Sequence, residues 1–223
     1  MKILAVETST EYCSVALWQD GAMSESAALV GQKHSEVLME MMDKLLKDCG
    51  VTIAQLGGIA FGKGPGSFTG VRIACGVAQG LALGANLSVV GVCTLRALAQ
   101  ASGQDKVIAA LDARMGEIYL AAYEKIGGEW RTKIEPCLCK IESSPALTGD
   151  GWFGAGSGFA VNDTALSGRY SSQLSGVDAL LVPLASAIAQ LASIEFTKGN
   201  EVDAALALPL YLRDKVALKT SER

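Results

Sequence analysis

The sequence predicts an α/β protein of two successive lobes, residues 1–103 and 104–223, each a mixed sheet with flanking helices. Three observations carry this. Apolar runs of strand length open the chain and open it again after Gly103-Gln104-Asp105. Both sets of strands are joined by turn-forming pairs, Asp20-Gly21 in the first and Gly127-Gly128 in the second. Each set is then followed by segments of helical periodicity. With 223 residues, half of them apolar, the chain can bury a substantial core.

In order, residues 2–7 form a buried strand pattern, and residues 14–19 and 23–29 form two more, linked by the polar turn at Glu7-Thr8-Ser9-Thr10 and by the Asp20-Gly21 hairpin. Strand, polar turn, strand, hairpin, strand is the opening of the actin-like ATPase fold, although an ordinary β-meander fits this stretch equally well. Residues 32–49 read as an amphipathic helix with apolar Val37, Leu38, Met41, Met42, Leu45 and Leu46. Residues 56–61 are a short strand that leaves through Gly62, Gly64, Pro65 and Gly66 into a helix over 71–83, with Ser67 and Thr69 as N-cap candidates. That helix carries Gly76 and Gly80 in its interior, each costing about 1 kcal/mol relative to alanine, and the usual compensation is a second backbone packed close by. A strand at 88–92 and a helix at 94–101 close the first half. The second has strands at 106–111, 117–124 and 129–137, a glycine-rich strand leading into a tight turn at 149–159, a helix at 184–196 and the terminal run at 207–213.

Composition narrows the function. A net charge of −4 argues against a chain that binds nucleic acid or anionic membrane by itself, so any RNA role needs a partner to supply positive surface. Six cysteines, without a CxxC spacing, read as small core residues of a reducing compartment. The first ten residues lack the apolar stretch of a signal peptide, and polar residues interrupt the apolar window at 73–92, so we expect a cytoplasmic protein.

The motifs are weighed individually. Gly64-Pro65-Gly66-Ser67-Phe68-Thr69-Gly70 invites comparison with a phosphate loop, but it matches neither the Walker spacing nor the dinucleotide fingerprint, and a structural turn is expected. His34 is the only histidine, which rules out metal sites built on paired histidines; beside Gln32 and Ser35 it is expected to cap the following helix. Asp112-Ala113-Arg114 reads as a turn ion pair, and Cys137 and Cys139 as neighbours on one strand face.

Together, ILAVETST, KHSEVL, FGKGPGSFTGVRIACGVAQGLAL, GVCTLRALA, LDARMGEIY and LPLYLR resemble the TsaB (YeaZ) family over nearly the whole chain, GPGSFTG followed by VRI being the most specific piece. The resemblance implies a two-lobed actin-like (ASKHA) fold and a non-catalytic paralogue of the enzyme TsaD. Such a protein works with TsaD and the ATPase TsaE to transfer threonylcarbamoyl from its adenylate to the adenosine beside the tRNA anticodon. Where TsaD and its relatives carry an HxxxH metal pair, this sequence has Thr94 and Leu98, so neither a catalytic residue nor a metal ligand is expected. No cofactor is expected in the isolated chain, while a nucleotide at the partner interface is left open. The alternative function is a nucleotide-binding or ATP-hydrolysing enzyme of the same fold, using the Glu7–Thr10 turn and the glycine turn at 154–158.

The partner is expected to dock on two helices. The first contributes Val37, Leu38, Met41, Met42 and Leu45; the second contributes Arg72 and Cys75 together with Ala74, Gly76, Ala78 and Gly80, whose small side chains permit close helix approach. The same surface is expected to make a homodimer when the partner is absent, and Met42→Glu or Gly76→Arg to abolish association while leaving the chain folded.

Overall fold

A computed structural model describes residues 1–162 and 165–213. The charged stretch that follows residue 213 in the sequence lies outside the described residues.

Among the described residues, ten strands form two five-stranded sheets of the same design. In the first, β1 (Lys2–Glu7) is central; β2 (Tyr12–Gln19) and β3 (Ala22–Leu29) add on one side as antiparallel hairpin partners, and β4 (Gly58–Gly64) and β5 (Val89–Cys93) add on the other as parallel partners. In the second, β6 (Lys106–Arg114) takes the central place. β7 (Glu117–Ile126) and β8 (Glu129–Lys140) are its antiparallel flank, and β9 (Trp152–Ala155) and β10 (Leu174–Asp178) its parallel flank. The repeat of one topology is the duplication expected from the two sets of strands.

Local chemistry accounts for the elements. Ile3 to Val6 are fully buried, as a central strand covered on both faces requires. Asp20 and Gly21 both have positive φ, 49° and 99°, the geometry of a two-residue hairpin turn that matches strand twist. The helices are α1 (His34–Asp48), α2 (Phe68–Ala85), α3 (Thr94–Ala101), α4 (Ala165–Arg169) and α5 (Ala185–Thr197). Ser67 caps α2, its Oγ accepting from the Gly70 N–H at 3.3 Å, and Asn86 ends that helix in the left-handed conformation.

The core has three parts. Leu4, Val6, Val15 and Leu17 on one face of the first sheet meet Leu38, Met42 and Leu45 of α1 and Ala74, Ala78 and Ala82 of α2. On its other face, Ile3, Ala5 and Ala16 meet α3 and α5 through Leu95, Leu98, Ile188 and Leu191, a cluster that continues into Val107, Ala109 and Tyr123 of the second sheet. The outer face of the second sheet is covered by Trp152, Phe159, Leu166 and Tyr170. Helix α5, read from the sequence after the second set of strands, thus returns to the first sheet and packs on β1 and β2, with the Ala185 N–H donating to Ser14 Oγ at 2.9 Å.

Candidate functional site

The glycine-rich loop between β4 and α2 is filled by the chain itself. The turn after β1 lies across it: the Ser67 N–H donates to the Ser9 carbonyl at 2.8 Å, and Thr8 Oγ1 donates to the Gly70 carbonyl at 2.7 Å. A Cβ at Gly62 would overlap the Glu7 carboxylate, one at Gly70 would overlap the Thr8 carbonyl, and one at Gly66 would lie 2.5 Å from the Ser9 carbonyl oxygen. Only Gly64 in this loop needs positive φ, at 96°. The other glycines are required for close approach by Glu7, Thr8 and Ser9, so the structural turn expected from the spacing is what the loop forms.

Glu7 is buried beneath this turn. One carboxylate oxygen accepts the Ser9 N–H, while its Oε2 and the hydroxyls of Ser9 and Thr94 are buried without a hydrogen-bond partner. Burial pushes the Glu7 carboxyl up to about 7, against smaller opposing effects of the hydrogen bonds from Ser9 and Thr8. Leu98, like Thr94, is fully buried on α3.

A cleft of about 720 Å³ opens beside the loop, walled by the Ser9–Tyr12 turn, Pro65 to Phe68, the β6–β7 hairpin, Ser157 and residues 210–213. It brings together the two turns of the alternative reading, since Ser9, Thr10 and Ser157 all line it. The Asp112 N–H donates to Ser157 Oγ at 3.1 Å, and Arg114 pairs with Asp112 at 3.0 Å and Glu11 at 3.5 Å. Asp112 and Arg114 therefore form the turn ion pair anticipated from the sequence. Gly154 and Gly158 are packing positions, where a Cβ would lie 2.6 Å from Phe159 and from Ala110.

The anticipated docking residues divide into two groups. Leu38, Met42 and Leu45, and Ala74, Cys75 and Ala78, are buried against the first sheet, which corrects the expectation that they face a partner: covering the sheet uses that side of both helices. Val37 and Met41 are half-buried on its margin, while Arg72, Gly76 and Gly80 are exposed. With Leu83, 77 % exposed, and Gly84, these three line one face of α2, and a Cβ at Gly76, Gly80 or Gly84 would meet nothing within 4 Å. The close backbone that the glycines were expected to receive is therefore not supplied by the described residues of this chain.

Arg72 is held between two aromatic rings, 3.2 Å from the Phe68 centroid and 4.7 Å from that of Tyr211, and it donates to the Phe68 carbonyl at 2.9 Å. Sequence reasoning missed Phe68 and Tyr211 because LPLYLR has no periodicity to show where it packs. His34 is not a cap. No side-chain cap precedes α1, and the buried His34 ring instead places Nε2 3.1 Å from the Tyr12 carbonyl, tying α1 to β2. Cys137 and Cys139 both pack on the outer core of the second sheet, and no cluster of three metal-ligating side chains occurs among the described residues. Helix α2 is the one helix among them with the length and apolar content of a membrane span, and a third of that window is buried in the fold.

Comparison with known proteins places these features. A family model described as TsaD, tRNA N6-adenosine threonylcarbamoyltransferase, matches residues 26–220. The tRNA threonylcarbamoyladenosine biosynthesis protein TsaB of Escherichia coli K12 is 38 % identical, over 98 % of this chain and 97 % of its own. Its counterpart of the same name in Haemophilus influenzae is 37 % identical, over 98 % and 96 %. The chain belongs to the TsaB family. The solved YeaZ from Pseudomonas aeruginosa, 38 % identical, superposes with a TM-score of 0.85 over 95 % of this chain and 99 % of its own. The fold of the TsaB family, two duplicated mixed sheets with flanking helices, is the actin-like fold expected from the sequence. A second solved Pseudomonas aeruginosa protein, described as similar to peptidase YeaZ, superposes with a TM-score of 0.88. A zinc peptidase of the HExxH type is excluded for this member of the TsaB family by its single histidine.

Proposed function

We propose that this chain is a non-catalytic scaffold and activator of a TsaD-like enzyme, acting with a TsaE-like ATPase in the cytoplasm to transfer threonylcarbamoyl to the adenosine beside the tRNA anticodon. The observation that carries the reading is the unpartnered glycine face of α2. Two interior glycines weaken the isolated helix by about 2 kcal/mol in total, and close approach of a partner's helix offsets that cost. The docking surface we assign is therefore Arg72, Gly76, Gly80, Leu83 and Gly84, with Val37, Met39 and Met41 of α1 at its edge. The lobe 1–103 presents it; the lobe 104–223, whose helix α5 packs back on the first sheet, contributes Leu111 to Met115, Ser157 and residues 210–213 to the neighbouring cleft. In the absence of the enzyme the same apolar face pairs two copies of the chain, and tRNA is met only through the complex.

The absence of chemistry in the chain itself is supported by Thr94 and Leu98 standing where the enzyme carries histidines, and by the glycine loop being packed with the chain's own backbone. The test is reconstitution: purified chain, TsaD-like enzyme, TsaE-like ATPase, threonylcarbamoyl adenylate and tRNA, with the modified nucleoside measured by mass spectrometry. Modification should require the chain and fail with the chain alone. Equal rates with and without it would overturn the proposal.

A second reading, nucleotide binding, is favoured by the convergence of Ser9, Thr10 and Ser157 on a cleft that also holds Arg114 and Arg213. Calorimetric titration of the isolated chain with ATP separates the two, since micromolar binding belongs to the second reading alone.

A further inference from the structure

The segment 207–213 joins the two sheets at the mouth of the cleft. Its first end is seated on the first half of the chain. The Ala207 carbonyl accepts from Gln79 Nε2 at 2.8 Å and from Cys75 Sγ at 3.4 Å, and the Leu210 N–H donates to the Lys63 carbonyl at 2.7 Å. At the other end Arg213 grips the β6–β7 hairpin of the second sheet at three points. Nη2 lies 2.7 Å from Glu117 Oε2 and 3.1 Å from the Ala113 carbonyl, and Nη1 lies 3.5 Å from Met115 Sδ.

The span is short. Three residue steps separate Leu210 from Arg213, which cover at most about 11 Å when fully extended. Tyr211, stacked on Arg72, holds the middle of that span. A second polar link across the cleft, Arg114 with Glu11, is 76 % and 68 % exposed and of little strength, whereas the Arg213 and Glu117 side chains are only 18 % and 26 % exposed.

The gripped hairpin carries two non-glycine residues of long side chain in the left-handed region. Arg114 and Met115 lie in the left-handed region with φ of 64° and 58°, followed by Gly116 at 73°. Long side chains meet a steric cost in that conformation that their surroundings must offset. Arg213 contacts residues on both sides of this tip, at Ala113 and Glu117, as well as Met115 within it.

We propose that residues 207–213 are a latch: anchored on α2 and β4, the segment clamps the β6–β7 hairpin through Arg213 and so sets the width of the cleft, with the Arg213–Glu117 pair as its release point. Engaged, the latch holds the hairpin tip left-handed against the cleft. Released, the hairpin relaxes and that side of the cleft opens, while the core shared by α3, α5 and both sheets is untouched.

The test is hydrogen–deuterium exchange on the full chain and on Arg213→Ala, Glu117→Gln and the charge-reversed pair Arg213→Glu with Glu117→Arg. Either single change should speed exchange of peptides covering 112–118 by about tenfold or more, leaving α3 and α5 protected as before. The reversed pair should recover at least part of the protection, a result that loss of side-chain packing alone cannot produce. Unchanged exchange at 112–118 in both single variants would overturn the latch. So would acceleration spread equally over the whole chain, which would make Arg213 a global stabiliser.

Discussion

Replacing Gly76 and Gly80 together by alanine tests whether the bare face of α2 is a docking surface. Both positions are interior to an 18-residue helix, neither has positive φ, and a Cβ at either meets nothing within 4 Å. The isolated chain should therefore gain the full helix-propensity difference, about 1 kcal/mol per site or about 2 kcal/mol together. For a chain of this size that raises Tm by roughly 4–8 °C. Association should move the other way, because two methyl groups enter the plane where another helix must approach; a tenfold loss of affinity corresponds to about 1.4 kcal/mol. Melting curves on dilute protein give the first quantity. Sedimentation of the chain alone and calorimetry with the TsaD-like enzyme give the second. A variant that melts higher yet associates undiminished would refute docking on this face, and one that melts lower would refute the claim that the face is open.

Other expectations follow from the burial of particular groups. Met42→Glu places a carboxylate where the native side chain is 3 % exposed, so contrary to the expectation from sequence it should cost at least about 3 kcal/mol and lower the urea midpoint instead of selectively blocking association. Glu7 titrates near 7 in the folded chain against 4.5 for the ordinary carboxyl, so between those values the native state keeps a proton that the unfolded chain has released. The Glu7 contribution to stability should be greatest below pH 4.5, fall through that window and level off above 7, about 3 kcal/mol lower; the difference between denaturant titrations of the native chain and Glu7→Gln should show that slope. Gly62→Ala forces a methyl group onto the Glu7 carboxylate and should lower stability by about 1–3 kcal/mol, whereas a glycine serving only as a phosphate cradle would tolerate the change in a ligand-free melt.

Much of this protein was legible in the sequence because it depends on neighbours along the chain. Alternating and continuous apolar runs determined where the strands lie, Asp20-Gly21 determined the hairpin, Ser67 the start of α2, and the long motifs around GPGSFTG the family. What only the tertiary structure decided is which surface each element spends on the core. A helix built from alanine and glycine all round carries too weak an asymmetry to say which side is covered, so Ala74 and Ala78 could not be told from Gly76 and Gly80 until the first sheet was seen against one side. The methionine stripe of α1 was ambiguous for the same reason, since periodicity shows that residues share a face and not what that face meets. The loop glycines answer to Glu7, Thr8 and Ser9 more than fifty residues earlier, and the latch joins Arg213 to Glu117 from nearly a hundred residues away. Contacts at such separations are set by the packing of whole sheets, and no local pattern of residues encodes them.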